Sequence, residues 1–252
     1  MNRKTTAIQV IDRLTYLLDV IASYEDPVSL KILSAETGLH PSTAFRILTS
    51  LGAHGYVERD EAGYYRLGIR LLQLGGRVRG RVDLRQEARP IMEALRDQIG
   101  ETVNLTIREG DEVVYVERST SSRMMRVEQV VGSRAPLHVT AVGKLMLGDT
   151  GEAECLRYAK RTKLPAYTAN TITDPEKLVQ ECHVVLEQGF ALDNEEAESG
   201  VGCIGTLVHD SSGLVVGGLS ISAPIERRQE AWIPLVVEAG RRISERLGYY
   251  EK

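Results

Sequence analysis

The run SLKILSAETGLHPSTAFRILTSLGAHGYVERDEAGYYRLG, residues 29–68, reads as two short helices that meet at a tight turn and run straight into a polar hairpin. Ser29 can cap a helix whose apolar positions Leu30 and Leu33, with Leu39 beyond, bracket a segment ending at Gly38, the residue best suited to a positive φ after a helix. A second helix is expected from His40-Pro41, where a proline at the first position gives up an N–H that has no use there. Ala44, Ile47, Leu48 and Leu51 recur at helical spacing and are expected to face inward. Ser42, Thr43, Arg46, Thr49 and Ser50 are left for solvent, a strip of short hydroxyls around one guanidinium with Phe45 as its only apolar bulk. Hydroxyls and arginine donate to phosphates and base edges, and a helix N-terminus adds free backbone N–H groups, so this strip suits a DNA groove.

The hairpin strengthens that reading. Tyr56-Val57-Glu58-Arg59 and Tyr64-Tyr65-Arg66-Leu67 are strand-like, and Asp60-Glu61-Ala62-Gly63 between them has turn composition, which together predict the wing of a winged helix-turn-helix. Alternation sets Tyr65 and Leu67 on one face and Tyr64 and Arg66 on the other, and Arg59 and Arg66 are expected beside backbone phosphates. A merely solvated hairpin is the plainer alternative, but helix, turn, polar helix and hairpin in this order point to DNA. Ahead of the motif, Ala7, Ile8, Ile11, Leu14, Leu18 and Ile21 recur at three- and four-residue steps and predict an amphipathic helix packed under the other two.

After the wing, Ile69 to Gly76 is apolar and its Gly75-Gly76 pair reads as a break. Arg77, Arg79, Arg81 and Arg85 follow, either touching DNA flanks or lining the solvated face of a connecting helix. A linker is placed here, ahead of a helix-like Pro90 to Ile99. Beyond Gly100 the period becomes two: Val103, Leu105 and Ile107 alternate with Thr102, Asn104, Thr106 and Arg108, and a turn at Asp111 leads to Val113–Glu117. Met125–Val131 is read as a further strand of the same antiparallel sheet. Helices are expected around Leu145, over Pro175–Gln188 and from about Gln229 to Leu247, with a hairpin over Val201–Ser222. The expectation is an α+β chain: a winged helix-turn-helix over 1–68, a linker helix over 69–85 and a mixed α/β ligand-binding domain over 86–252.

Composition agrees with two domains. The chain has 252 residues, 42% hydrophobic and 26% charged, and a net charge of −4. That charge is unevenly shared. Residues 1–85 hold 12 Lys/Arg against 9 Asp/Glu and the rest 19 against 26, so the modest positive charge lies with the helix-turn-helix and binding through a local patch is expected. Cys155, Cys182 and Cys203 show neither disulfide nor zinc spacing, so no metal and no cofactor is expected, and a reducing cytoplasm fits. Met1–Arg13 lacks the apolar core of a signal peptide, and no apolar run approaches a membrane span, so no membrane partner is expected.

In the second domain the hairpin turns at Asp210-Ser211-Ser212-Gly213. Pairing His209 with Leu214 would set Cys203 opposite Ser220 and Gly205 opposite Gly218, with Ser222 on the same face. Glycine, cysteine and serine stand there where a core would want branched aliphatics, while Ile204, Val208, Leu219 and Ile221 take the other side. A face stripped of bulk and furnished with small polar groups describes a small-molecule pocket, unless a helix packs closely onto it. The loop from Gly132 to Lys144 enters a helix near Thr140, where free N–H groups of Thr140 and Ala141 would attract a carboxylate. Asp193 could orient a ligand hydroxyl or cap a turn.

The whole chain, over residues 6–248, resembles the IclR-type bacterial transcriptional regulators. The segments that carry the resemblance are Thr37-Gly38-Leu39 with Ser42-Thr43 and Arg46, Tyr56-Val57-Glu58-Arg59 with Tyr65-Arg66-Leu67-Gly68, Pro136-Leu137-His138 with Thr140-Ala141 and Gly143-Lys144, and Gly200-Val201 with Cys203-Ile204. The resemblance implies a dimerising linker helix, a GAF-like C-terminal domain, operator DNA bound by a homodimer or dimer of dimers, and a small organic or aromatic acid as effector. By position, it carries effector contacts onto Thr140, Ala141, Asp193, Cys203, Ser220 and Ser222. Two departures stand out: His40-Pro41 replaces the usual cap and proline order, and Gly202 and Gly205 stand where bulkier residues are common, which bears on pocket size.

Two rival readings remain from the sequence. Cys203, His138 and Asp193 could form a nucleophile, base and orienter, although no nucleophile elbow, metalloprotease motif, P-loop or dinucleotide fingerprint accompanies them. Alternatively, the winged helix could bind protein, against which the hydroxyl and arginine strip argues.

Overall fold

The computed structural model describes residues 8–79 and 82–250, which fall into two compact units parting between residues 81 and 82. Ala7, Arg81 and the side chain of Arg79, named above, lie outside the described residues.

The first unit begins with α1 (Gln9–Ala22), α2 (Leu30–Thr37) and α3 (Pro41–Ala53). Ser29 caps α2 by accepting from the Ile32 N–H, and Gly38 ends it at φ 66°, the left-handed conformation that glycine adopts without a Cβ penalty. Leu17, Val20, Ile21, Leu33, Ala44, Leu48 and Leu51 form the core with Val57 and Tyr65 of the hairpin. Ile47 is only partly buried. The expected stripe on α1 holds in its second half alone, because Ile8 and Ile11 are exposed. The first turns of α1 instead line a groove beside α3, with Val10 and Leu14 facing Ile47.

The hairpin pairs β1 (Val57–Arg59) with β2 (Tyr65–Leu67). Glu58 stands opposite Arg66 and Arg59 opposite Tyr65, so the two arginines occupy opposite faces and cannot meet one phosphate line as a pair. Next, α4 (Ile69–Arg79) starts tight against the turn before β1: a Cβ on Gly68 would lie 2.2 Å from the Gly55 carbonyl oxygen. The helix runs through Gly75 and Gly76 rather than breaking there, since glycine tolerates helical geometry at about 1 kcal/mol each.

The second unit opens with α5 (Leu84–Ile99), β3 (Thr102–Glu109), β4 (Glu112–Ser119) and β5 (Arg134–Pro136). A 3-10 turn at Leu137–Val139 leads into α6 (Ala141–Asp149), followed by α7 (Glu152–Thr162) and α8 (Pro175–Gln188). β6 (Ala191–Asn194), β7 (Val201–His209), β8 (Val215–Pro224) and α9 (Ile233–Arg246) complete it. The strands form one antiparallel sheet in the order β5-β4-β3-β8-β7-β6. Val103, Leu105, Ile204, Val208, Leu219 and Ile221 pack one face into a core with Ala88, Met92 and Leu95 of α5 and Val236 and Ile243 of α9. Val142, Leu145 and Met146 of α6 join α7 and α8 in a second core on the other face.

Several expectations change here. Met125–Val131 is not a strand; the fifth strand is Arg134–Pro136, and Met125 and Val130 are exposed. The last helix starts at Ile233, with a 3-10 turn over Glu230–Trp232 before it. The β7–β8 register is also two residues away from the expected one. Asp210 accepts from the Ser212 and Leu214 N–H groups, Gly213 turns at φ 82°, and His209 pairs with Val215. A bulge then moves Val208 onto Gly217. Cys203 therefore faces Ser222, Gly205 faces Ser220, and Gly218 faces Leu207. An even shift leaves every side chain on its expected face.

Candidate functional site

On α3, Ser42, Arg46, Thr49 and Ser50 are exposed and Thr43 is half-buried, while Ala44, Leu48 and Leu51 point into the core. His40 caps the helix through Nδ1, 3.4 Å from the Ser42 N–H and 2.8 Å from the Ser42 Oγ. Thr49 donates back to the Phe45 carbonyl at 2.8 Å. Thr43, Arg46 and Ser50 line a groove with Val10, Arg13 and Leu14 of α1. On the hairpin, Arg59 lies over the rings of Phe45 and Tyr65, 5.9 and 5.5 Å from their centroids. Its guanidinium is thereby carried toward α3. Arg66 instead meets Glu58 at 2.8 Å, and this pairing holds the Glu58 carboxyl below its ordinary range.

In the second unit, the glycines of the β7–β8 hairpin do not make space. A Cβ on Gly205 would come within 2.8 Å of Val142, one on Gly218 would meet two Val142 carbons at 2.8 Å, and one on Gly202 would meet Ile225 at 2.6 Å. Close packing of α6 and of the chain after β8 thus accounts for Gly202 and Gly205, and of the two possibilities left open for the small-residue face, the closely packed helix holds at these glycines. What α6 leaves is a polar row beyond its N-terminus. Thr140 caps the helix, accepting from the Gly143 N–H at 3.1 Å, and its own N–H is bonded to Leu137, so it is not the free donor expected. Ala141 and Val142 open α6, in the first turn where backbone N–H groups have no partner within the helix itself. Ala141 sits over Gly205, with its Cβ 3.2 Å from where a Gly205 Cβ would be, one row from Cys203.

Register aligns Asp193, Cys203, Ser222 and Thr102 in one cross-strand row, and Gly205, Ser220 and Asn104 in the next. Cys203 Sγ lies 3.3 Å from Ser222 Oγ, and Asn104 Nδ2 donates to Ser222 Oγ and to Gln129 Oε1, both at 3.1 Å. Asp193 accepts from the Glu196 N–H at 2.8 Å. Burial pushes its carboxyl up to about 6, against the pull of that hydrogen bond. Burial likewise raises the Cys203 thiol, with the Asp193 charge adding to it, and raises the Tyr115 phenol. Beside Asp193, Lys144 is fully buried between Glu196 at 2.7 Å and Glu181 at 3.1 Å.

The sequence reading therefore brought together Ala141, Asp193, Cys203, Ser220 and Ser222, and missed Asn104, Tyr115 and Gln129. The signal for Asn104 was present: Thr102, Asn104 and Thr106 alternate with the aliphatics of β3, yet all three are buried. His138 does not join Cys203. Its ring lies 2.8 Å from the Tyr158 hydroxyl and 3.2 Å from the Pro165 carbonyl, and burial lowers its pKa. Cys182 packs instead, its Sγ 3.8 Å from that of Cys155, and both thiols are free.

Comparison with known proteins decides the family. Residues 10–61 match the IclR helix-turn-helix domain and residues 77–248 the bacterial transcriptional regulator IclR C-terminal domain. The chain belongs to the IclR family of transcriptional regulators. Within that family it is 31% identical to the HTH-type transcriptional regulator KipR of Bacillus subtilis (strain 168), over 98% of this chain and 99% of the relative. Its fold matches the crystal structure of the Thermotoga maritima IclR with 30% identity and a TM-score of 0.63, covering 96% of this chain and 100% of the other. An IclR homolog from Microbacterium hydrocarbonoxydans, solved in complex with 4-hydroxybenzoate, matches with 25% identity and a TM-score of 0.61, covering 94% and 98%. As an IclR-family regulator the chain joins a DNA-binding helix-turn-helix to a ligand-binding C-terminal domain. No helix among the described residues is long and apolar enough to cross a membrane.

Proposed function

We propose that this regulator lays α3 in the DNA major groove, reading base edges and phosphates through Ser42, Thr43, Arg46, Thr49 and Ser50, with Arg59 of the wing on flanking backbone and Arg66 held back from it by Glu58. The observation that carries this is the exposed hydroxyl face of α3, with Arg46 in its middle free of any acceptor among the described residues. It acts as a homodimer or pair of dimers in the cytoplasm, two reading heads meeting half-sites roughly 34–36 Å apart or a multiple of that. The reading as a cysteine-dependent enzyme is the weaker one, since His138 is engaged by Tyr158 and Pro165 rather than by Cys203. The effector is a small organic acid held at the N-terminus of α6 beside Asp193, Cys203, Ser220 and Ser222, with Thr140 shaping the helix start. The N-terminus of α6 at Ala141 and Val142 supports a carboxylate there, as does the homolog bound to 4-hydroxybenzoate. Ligand binding shifts the placement of the reading heads by favouring one of their arrangements. In a gel-shift titration with genomic fragments upstream of its own gene, Arg46→Ala is expected to weaken specific binding at least tenfold while leaving Trp232 fluorescence of the second unit unchanged; equal affinity refutes the assignment.

A further inference from the structure

We infer that the effector is a hydroxylated acid, and that Asn104 is the residue that selects its hydroxyl. This rests on the effector reading above and adds the chemical class that the site demands. Asn104 is fully buried, and its two amide ends are treated unequally. Nδ2 donates twice, to Gln129 Oε1 and Ser222 Oγ. Oδ1 is buried and meets no donor. Turning this amide over by itself would set its oxygen against the Gln129 oxygen. A buried carbonyl without a donor is costly, and it is satisfied when a ligand supplies an O–H.

Geometry states which hydroxyl. Asn104 pairs with Ser220 and Ser220 with Gly205, and Gly205 lies under Ala141 and Val142, the first residues of α6, where the helix N-terminus favours an anion. Two strand spacings, roughly 10 Å, separate Gly205 from Asn104 along this row, less the reach of the side chains. Donors for a carboxylate thus stand at one end and an acceptor for a hydroxyl at the other. That spacing suits an acid whose hydroxyl lies several atoms from its carboxylate. A hydroxyl on the neighbouring carbon would fall short of Asn104. Gln129 belongs to the segment between β4 and β5, where Arg118 also holds its backbone carbonyl, so the same segment both covers the row and orients the selecting amide.

The test is calorimetric titration of the full chain with two matched pairs, benzoate against 4-hydroxybenzoate and hexanoate against 6-hydroxyhexanoate. The hydroxylated member of at least one pair is expected to bind about tenfold tighter or more, because its plain partner leaves Asn104 unpaired. Asn104→Ala should bring the members of that pair within about threefold of each other. If that variant does not fold, Gln129→Ala, which frees the amide to rotate, should reduce the preference several-fold. Equal affinities within both pairs, or a preference that survives the substitutions, overturns the role of Asn104 and leaves the small-acid reading standing. No binding by any of the four acids overturns both.

Discussion

Asp193→Asn should make this regulator more stable above neutral pH, although it alters a residue of the proposed effector site. Burial lifts the Asp193 carboxyl from 3.8 to about 6 in the folded chain. The folded state therefore binds this proton more tightly than the unfolded state, and the group's contribution to stability is lost as pH rises from about 4 to about 6. A shift of roughly two units at about 1.4 kcal/mol each gives a penalty on the order of 3 kcal/mol above pH 6. An asparagine Oδ1 can still accept from the Glu196 N–H, while its amide hydrogens face Cys203, so a net gain of about 1–3 kcal/mol at pH 8 and almost none at pH 4 is expected. Urea denaturation followed by fluorescence suits the measurement, because the only tryptophan, Trp232, sits at the core of the second unit and reports its unfolding alone. A variant that is less stable than the parent at pH 8, or a difference that does not change between pH 4 and pH 8, would refute the argument.

Other substitutions test neighbouring parts. Glu58→Gln releases Arg66 from its exposed ion pair, so DNA affinity in filter binding should rise several-fold and the salt slope steepen by about one. Gly218→Ala drives a Cβ into Val142 and should cost about 1–3 kcal/mol in the Trp232 transition, with Val142→Ala recovering part of it; a neutral effect would mean α6 is not seated there. Lys144→Met leaves the buried Glu196 without its cation and should cost roughly 3–5 kcal/mol, less when combined with Glu196→Gln, as double-mutant denaturation would reveal.

Local chemistry was legible wherever it is written over a few adjacent residues. The Ser29 cap, the Gly38 turn, the Pro41 start and the inward face of α3 follow from hydrogen bonds and φ preferences within one helical turn, and they appear as read. Even the hairpin faces survived a wrong register, since a strand repeats every two residues and the error was two. Which residues lie opposite was another matter. An exposed turn and a bulge, held by Asp210 and Gly213, set the pairing of Cys203 with Ser222, and the loop length alone does not reveal a bulge.

By itself, then, the amino-acid order determined the winged helix-turn-helix, the exposed hydroxyl strip of α3 and the side of each strand that carries polar groups, because these depend on neighbours three or four positions away. Only the tertiary structure decided that Gly205 and Gly218 admit a helix and not a ligand, that Arg66 is neutralised while Arg59 leans on Phe45, and that Asn104 shares a buried row with Ser220. Those outcomes depend on which distant segments come within a few ångströms of each other, and burial then changes what the same polar group costs and can do.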